Sequence, residues 1–68
     1  MTHMKFSDEE RDNFEMRACA AIEMMSQASS RMLRAATKGE LYEEQHRSIL
    51  LAIESAVVEV KRLPKIKE

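Results

Sequence analysis

Residues 41–63 read LYEEQHRSILLAIESAVVEVKRL. Tyr42, His46, Ile49, Ile53, Ala56, Val60 and Leu63 recur along this stretch at alternating steps of four and three, the period of a helix face that packs along a partner. Glu40, Glu43 and Glu44 place acid at its start, while Lys61 and Arg62 place base at its end, each complementing the nearer pole of the helix dipole. Pro64 cannot continue the helix, because its ring clashes with the preceding turn. The stretch therefore predicts a helix over 41–63, with residues 64–68 as a short frayed tail. Such a helix needs something to pack against.

The chain just upstream offers it. Ser7-Asp8-Glu9-Glu10 has the form of a capping box, in which the Ser7 hydroxyl accepts from the Glu10 N–H and the Glu10 carboxylate accepts from the Ser7 N–H. Asp8, Glu9 and Asp12 add charge that the dipole favours. Phe14, Ala18, Ala21, Met25, Ala28, Met32 and Ala35 then repeat the steps of four and three. Arg31, Arg34 and Lys38 gather at the far end, and Gly39 supplies the left-handed residue that ends helices. A first helix over 8–38 follows, with a turn at 38–40. Phe6 is expected to fold back on it. His3 and Met4 admit two readings, a native start or an appended leader with the natural start at Met4.

So short a connection forces the helices antiparallel. The expected fold is all-α: a single domain over 1–68, a coiled-coil-like two-helix hairpin. If Ala36 lies near Tyr42, then Met32 meets His46, Met25 meets Ile53, Ala18 meets Val60 and Phe14 meets Leu63. The expected seam is thus Phe14, Ala18, Ala21, Met25, Ala28 and Met32 against Tyr42, Ile49, Ile53, Ala56, Val60 and Leu63. Mostly small residues on helix one would face larger ones on helix two.

Apolar residues remain outside that seam. Ile22, Leu33, Leu50 and Val57 fall on one broad side of the hairpin, edged by Cys19 and His46, and form a candidate partner-binding face. The other broad side would carry Arg17, Arg31, Ser48 and Glu59, softened by Met24, Ala28, Ala35 and Ala52. Leu51 and Val58 lie on the outer surface of helix two.

Size calls for a partner on physical grounds. The chain has 68 residues, and below ~70–80 residues a single core rarely contributes more than ~3–5 kcal/mol without disulfides, metal or a partner. Cys19 is the only cysteine, which excludes an internal disulfide and fits a reducing compartment. The expected state is a dimer or a heterocomplex.

Composition removes several functions. The formal net charge is −1 and no basic stripe is present, which argues against a phosphate-backbone footprint. Arg31, Arg34, Lys38 and Arg47 cluster near the turn, but Glu40, Glu43 and Glu44 dilute them. One glycine and one proline leave little for hairpin turns or phosphate loops. There is no apolar run of ~18 residues and no export signal, so a soluble cytoplasmic protein is expected. His46 has no second ligand at metal spacing on its face, and Cys19 has no base within reach. No catalytic residue, cofactor or metal is expected, and the chain reads as a non-enzyme.

Gly39-Glu40-Leu41-Tyr42, then Gln45, then Ala52-Ile53-Glu54-Ser55-Ala56-Val57-Val58 resemble the small YscE/SsaE/EscE-like co-chaperones of bacterial type III secretion needle subunits. The resemblance covers roughly Met25–Leu63. It implies a glycine turn at Gly39, helix packing begun by Tyr42, and helix contacts at Ala52, Ala56 and Val57. It further implies a bacterial cytoplasmic protein that pairs with a tetratricopeptide-like chaperone to keep the needle subunit soluble before export, and that self-associates when isolated. The alternative is a homodimeric helical hairpin with a regulatory or nucleic-acid-associated role.

Overall fold

The computed structural model describes residues 5–66. Among them the chain forms two helices and no strand: α1, Asp8–Lys38, and α2, Glu43–Lys61. They pack antiparallel as a hairpin of 54 × 19 × 18 Å. The choice of starting residue, within Met1–Met4, lies outside the described residues, as does the end of the tail at Lys67 and Glu68.

Both ends of α1 are closed by local chemistry. Ser7 is extended at the N-cap, its hydroxyl accepting from the Glu10 N–H at 3.2 Å, and Glu10 Oε1 accepts from the Ser7 N–H at 3.0 Å. At the other end Gly39 has φ 73° and ψ 25°. That left-handed turn aims the N–H groups of Gly39 and Glu40 at the Ala35 carbonyl, at 2.8 and 3.2 Å, so a carbonyl left open by the helix end is satisfied. Before α1, the Phe6 ring lies 5.3 Å from that of Phe14, an aromatic pair of the kind that contributes about 0.5–1.5 kcal/mol beyond its buried area.

The connection is longer than 38–40. Leu41 and Tyr42 are not helical, and Tyr42 is extended, with φ −89° and ψ 157°. Helix axes sit ~8–10 Å apart, a gap that two or three extended residues at ~3.3–3.6 Å each can cross. Gln45 Oε1 then accepts from the Tyr42 N–H at 3.2 Å and holds the start of α2. At its end α2 stops at Lys61, short of Leu63. Arg62 and Leu63 donate to Glu59 and Val60, at 3.1 and 3.2 Å, the tighter i→i+3 pattern. The residue before a proline is disfavoured in α-helix, and Pro64 follows. Leu63 and Pro64 are half-buried rather than free, while Lys65 and Ile66 are exposed.

The core is made mainly of alanine. Ala21, Ala28, Ile49, Ala52 and Ala56 are buried, and among the described residues no large side chain is fully enclosed. Phe14, Ala18, Met24, Ala35 and Leu63 are half-buried along the same line.

This seam differs from the expected one by a rotation. Positions 14, 21, 28 and 35 of α1 and 49, 56 and 63 of α2 do line it. Of the intervening positions Ala18 is half-buried, but the others turn outward: Met25 and Met32 are 46% and 47% exposed, and Tyr42, Ile53 and Val60 are exposed too. Their places are taken by residues one step back along the chain, Met24 and Ala52 above all. Both helices have turned toward the side that carries Arg17, Arg31, Ser48 and Glu59. Two contacts bridge the helices there. Arg17 Nη1 lies 3.6 Å from Glu59 Oε2, and Arg31 Nη1 donates to Ser48 Oγ at 2.8 Å. Alanine at Ala21, Ala28, Ala52 and Ala56 lets the axes approach closely enough for these longer side chains to reach across. Axial register, by contrast, stays within two residues of the expected one at both contacts.

Candidate partner-binding surface

A right-handed helix advances 100° per residue, so the rotation decides which residues remain outside. On α1 the steps run Ala18, Ile22, Met25, Ser29, Met32 and Ala36; on α2 they run His46, Leu50, Ile53, Val57 and Val60. Each row repeats at steps of three and four. Because the helices are antiparallel, rows offset in the same rotational sense from the seam emerge on the same broad side. That side is opposite the one bridged by Arg17–Glu59 and Arg31–Ser48.

The face is therefore broader than the sequence-derived one. Ile22, Leu50 and Val57 lie on it and are 58%, 43% and 45% exposed. Leu33, the most exposed of the group at 70%, sits with Cys19 along its outer edge on α1, and His46 marks its turn end. Met25, Met32, Ile53 and Val60 belong to this face rather than to the seam. The signal that could have placed them is the pairing of charges at matched levels, Arg17 with Glu59, which marks the opposite side as the one the helices close upon.

The packing explains why the face is not expected to stay bare. Among the described residues, four of the five buried ones are alanines. A buried methyl contributes roughly 0.8 kcal/mol, against ~1.5–3 kcal/mol for a large aliphatic side chain. The larger aliphatics of α2 are mostly outside: Leu50, Leu51, Ile53, Val57, Val58 and Val60 are all exposed. The result is a continuous apolar surface, which makes this side the candidate binding site.

The polar features are local supports. Arg17 Nε donates to Asn13 Oδ1 at 3.1 Å, and Glu59 Oε1 lies 4.0 Å from Arg62 Nη1, so Asn13, Arg17, Glu59 and Arg62 form one chain of contacts. A groove of about 430 Å³ near the turn is lined by Arg31, Arg34 and Lys38, but also by Glu40 and Glu44. No group of three or more His, Cys, Asp or Glu among the described residues is placed to hold a metal. The Cys19 thiol is free and exposed. Among the described residues no helix is long and apolar enough to cross a membrane.

No protein-family model, curated protein or solved structure matches this chain.

Proposed function

We propose that this chain acts by binding protein, as a non-enzymatic helical subunit whose exposed apolar face is covered by helices of another chain. The observation that carries this reading is the continuous double row led by Ile22, Leu50 and Val57, outside a seam built of alanine. In its specific form the proposal is a co-chaperone of a bacterial type III secretion system. The hairpin pairs in the cytoplasm with a tetratricopeptide-like chaperone and keeps the needle subunit soluble before export. Support for that form is the resemblance over Gly39–Tyr42, Gln45 and Ala52–Val58, together with the fit of a helix pair to a surface made of stacked helix pairs. The nucleic-acid alternative draws on Arg31, Arg34 and Lys38, but Glu40 and Glu44 share their groove and would repel phosphate.

Co-expression with a needle subunit and its tetratricopeptide-like chaperone tests the proposal. A tagged chain is expected to retain both proteins. Val57→Asp should reduce their recovery at least tenfold, whereas Val58→Asp, on the outer surface of α2, should leave it within twofold. Retention of neither protein by the unmodified chain would sink the co-chaperone reading. Equal loss from the two variants would sink the assignment of the face.

A further inference from the structure

We infer that the hairpin has a second seam, reached by turning each helix on its axis by about 50°, half of the ~100° between successive residues. The turn carries Met25, Met32, Ile53 and Val60 from the apolar face into the seam. Ile22, Leu50 and Val57 stay outside as a narrower stripe. Resting on the reading of this face as a protein-binding surface, the rotation is a device that regulates it. The wide face seen in the structure is the open form, and the narrow face is the closed one.

The residues between the two flanks allow both forms. Phe14, Ala21, Ala28 and Ala35 on α1, with Ile49, Ala56 and Leu63 on α2, face the other helix in either seam. Three of the four on α1 are alanine. Helix surfaces interlock through ridges of side chains, and alanine raises little ridge. Helices that meet on it can roll without lifting large side chains over one another.

Little opposes the turn. Among the described residues, Arg17–Glu59 and Arg31–Ser48 are the only side-chain ion pair and hydrogen bond between the helices. The Arg17 and Glu59 side chains keep 27% and 20% of their surface in water, and the Arg31–Ser48 bond is exposed. Water therefore replaces much of what rotation removes. The caps at Ser7–Glu10, Gly39 and Tyr42–Gln45 each belong to one helix end and turn with it. Leu41 and Tyr42, in the connection, are exposed and hold neither helix by burial.

The two seams offer opposed gains. The seam of the structure buries Ala52, half-buries Met24 and keeps the axes close. The second would cover Met25, Met32, Ile53 and Val60, which are 46%, 47%, 38% and 48% exposed. Their bulk would also push the axes apart, so apolar area is gained and close packing lost. With terms that offset in this way, a partner decides the outcome. A protein that covers the four side chains binds the wide form alone and shifts the population toward it.

Disulfide trapping in the full chain tests the second seam. In a Cys19→Ser background, Met25→Cys with Ile53→Cys is expected to form an internal bridge at high dilution, with diamide as the oxidant. Both replaced side chains are exposed, so the substitutions leave the core intact. In the structure the two positions look out from one broad side; in the second seam they face each other, as a bridge requires. Ile22→Cys with Val57→Cys, outside both seams, should stay unbridged. Adding Arg17→Met and Ser48→Ala should speed the Met25–Ile53 bridge about threefold or more, since two weak contacts no longer resist the turn. The bridged chain should capture about fivefold less of a needle subunit with its tetratricopeptide-like chaperone than the same chain after reduction. Thiols left free, bridges between chains only, equal bridging at Ile22 and Val57, a rate unmoved by loss of the two contacts, or capture unchanged by the bridge would each overturn the inference. An internal bridge in a chain that captures nothing, oxidised or reduced, would sink the proposed function and spare the second seam. Capture by a chain that never bridges internally would do the reverse.

Discussion

The two broad sides of the hairpin are built from the same helices at the same levels, yet they differ in almost every respect. One side is closed by side chains of this chain: Arg17 reaches Glu59, Arg31 reaches Ser48, and Met24 and Ala52 fill the space beneath. The other leaves Ile22, Met25, Leu50 and Val57 in water. Where a polar residue of one helix has a partner at the same level of the other, the chain satisfies itself. Where the rows are apolar and continuous, they stay exposed. The proposed binding face is thus the side with the fewest polar residues.

The hardest way to break this contrast is to disturb the seam between the sides. Ala28→Leu adds bulk where Ala28 packs with Ile49 and Ala52, and overpacking of this kind costs about 1–3 kcal/mol. Urea denaturation should show that loss, while Ser29→Leu, one residue on, should leave monomer stability within about 0.5 kcal/mol as a surface change does. If Ala28→Leu were tolerated, the alanine seam would be wrong. Gly39→Ala acts on both sides at once through the turn. Nothing lies within 4 Å of the added Cβ, so the cost is conformational, about 1–2 kcal/mol for a left-handed residue, read from the same melts. No loss would mean that the turn has another conformation.

Smaller effects sharpen the polar side. A double-mutant cycle with Arg17→Met and Glu59→Gln should give a coupling of about 0.2–1 kcal/mol. It should shrink in molar salt, as partly exposed ion pairs do. A coupling of zero at low salt would remove this pair as a reason for the rotation. Ser48→Ala, which loses an exposed hydrogen bond from Arg31, should cost no more than about 0.5 kcal/mol. A larger value would show that this bond, rather than the alanines, holds the helices in place.

Much of the architecture is legible along the chain because it is local. The Ser7–Glu10 capping box and the positive φ of Gly39 need only neighbours within a few residues. Register follows from a short connection and the repeat of apolar residues, and it survives in the two bridging contacts. The connection of 39–42 is longer than the glycine alone suggests, since the distance between axes has to be crossed. Of the candidate face, Ile22, Leu50 and Val57 were readable as apolar residues left over from the repeat. Met25, Met32, Ile53 and Val60 were not, because in a repeat of four and three they serve equally well as seam.

That ambiguity separates the two levels of information. Two helices, their caps, their antiparallel course and their axial level are properties of short segments and of chain connectivity, so the linear order of residues settles them. The rotation of each helix about its own axis is different. Positions 14, 21, 28 and 35, with 49, 56 and 63, are common to both possible seams, and no local rule chooses between the residues on either flank. Only contact between the helices chooses. Alanines allow a close approach, Arg17 and Arg31 find partners across it, and the larger apolar side chains are turned outward.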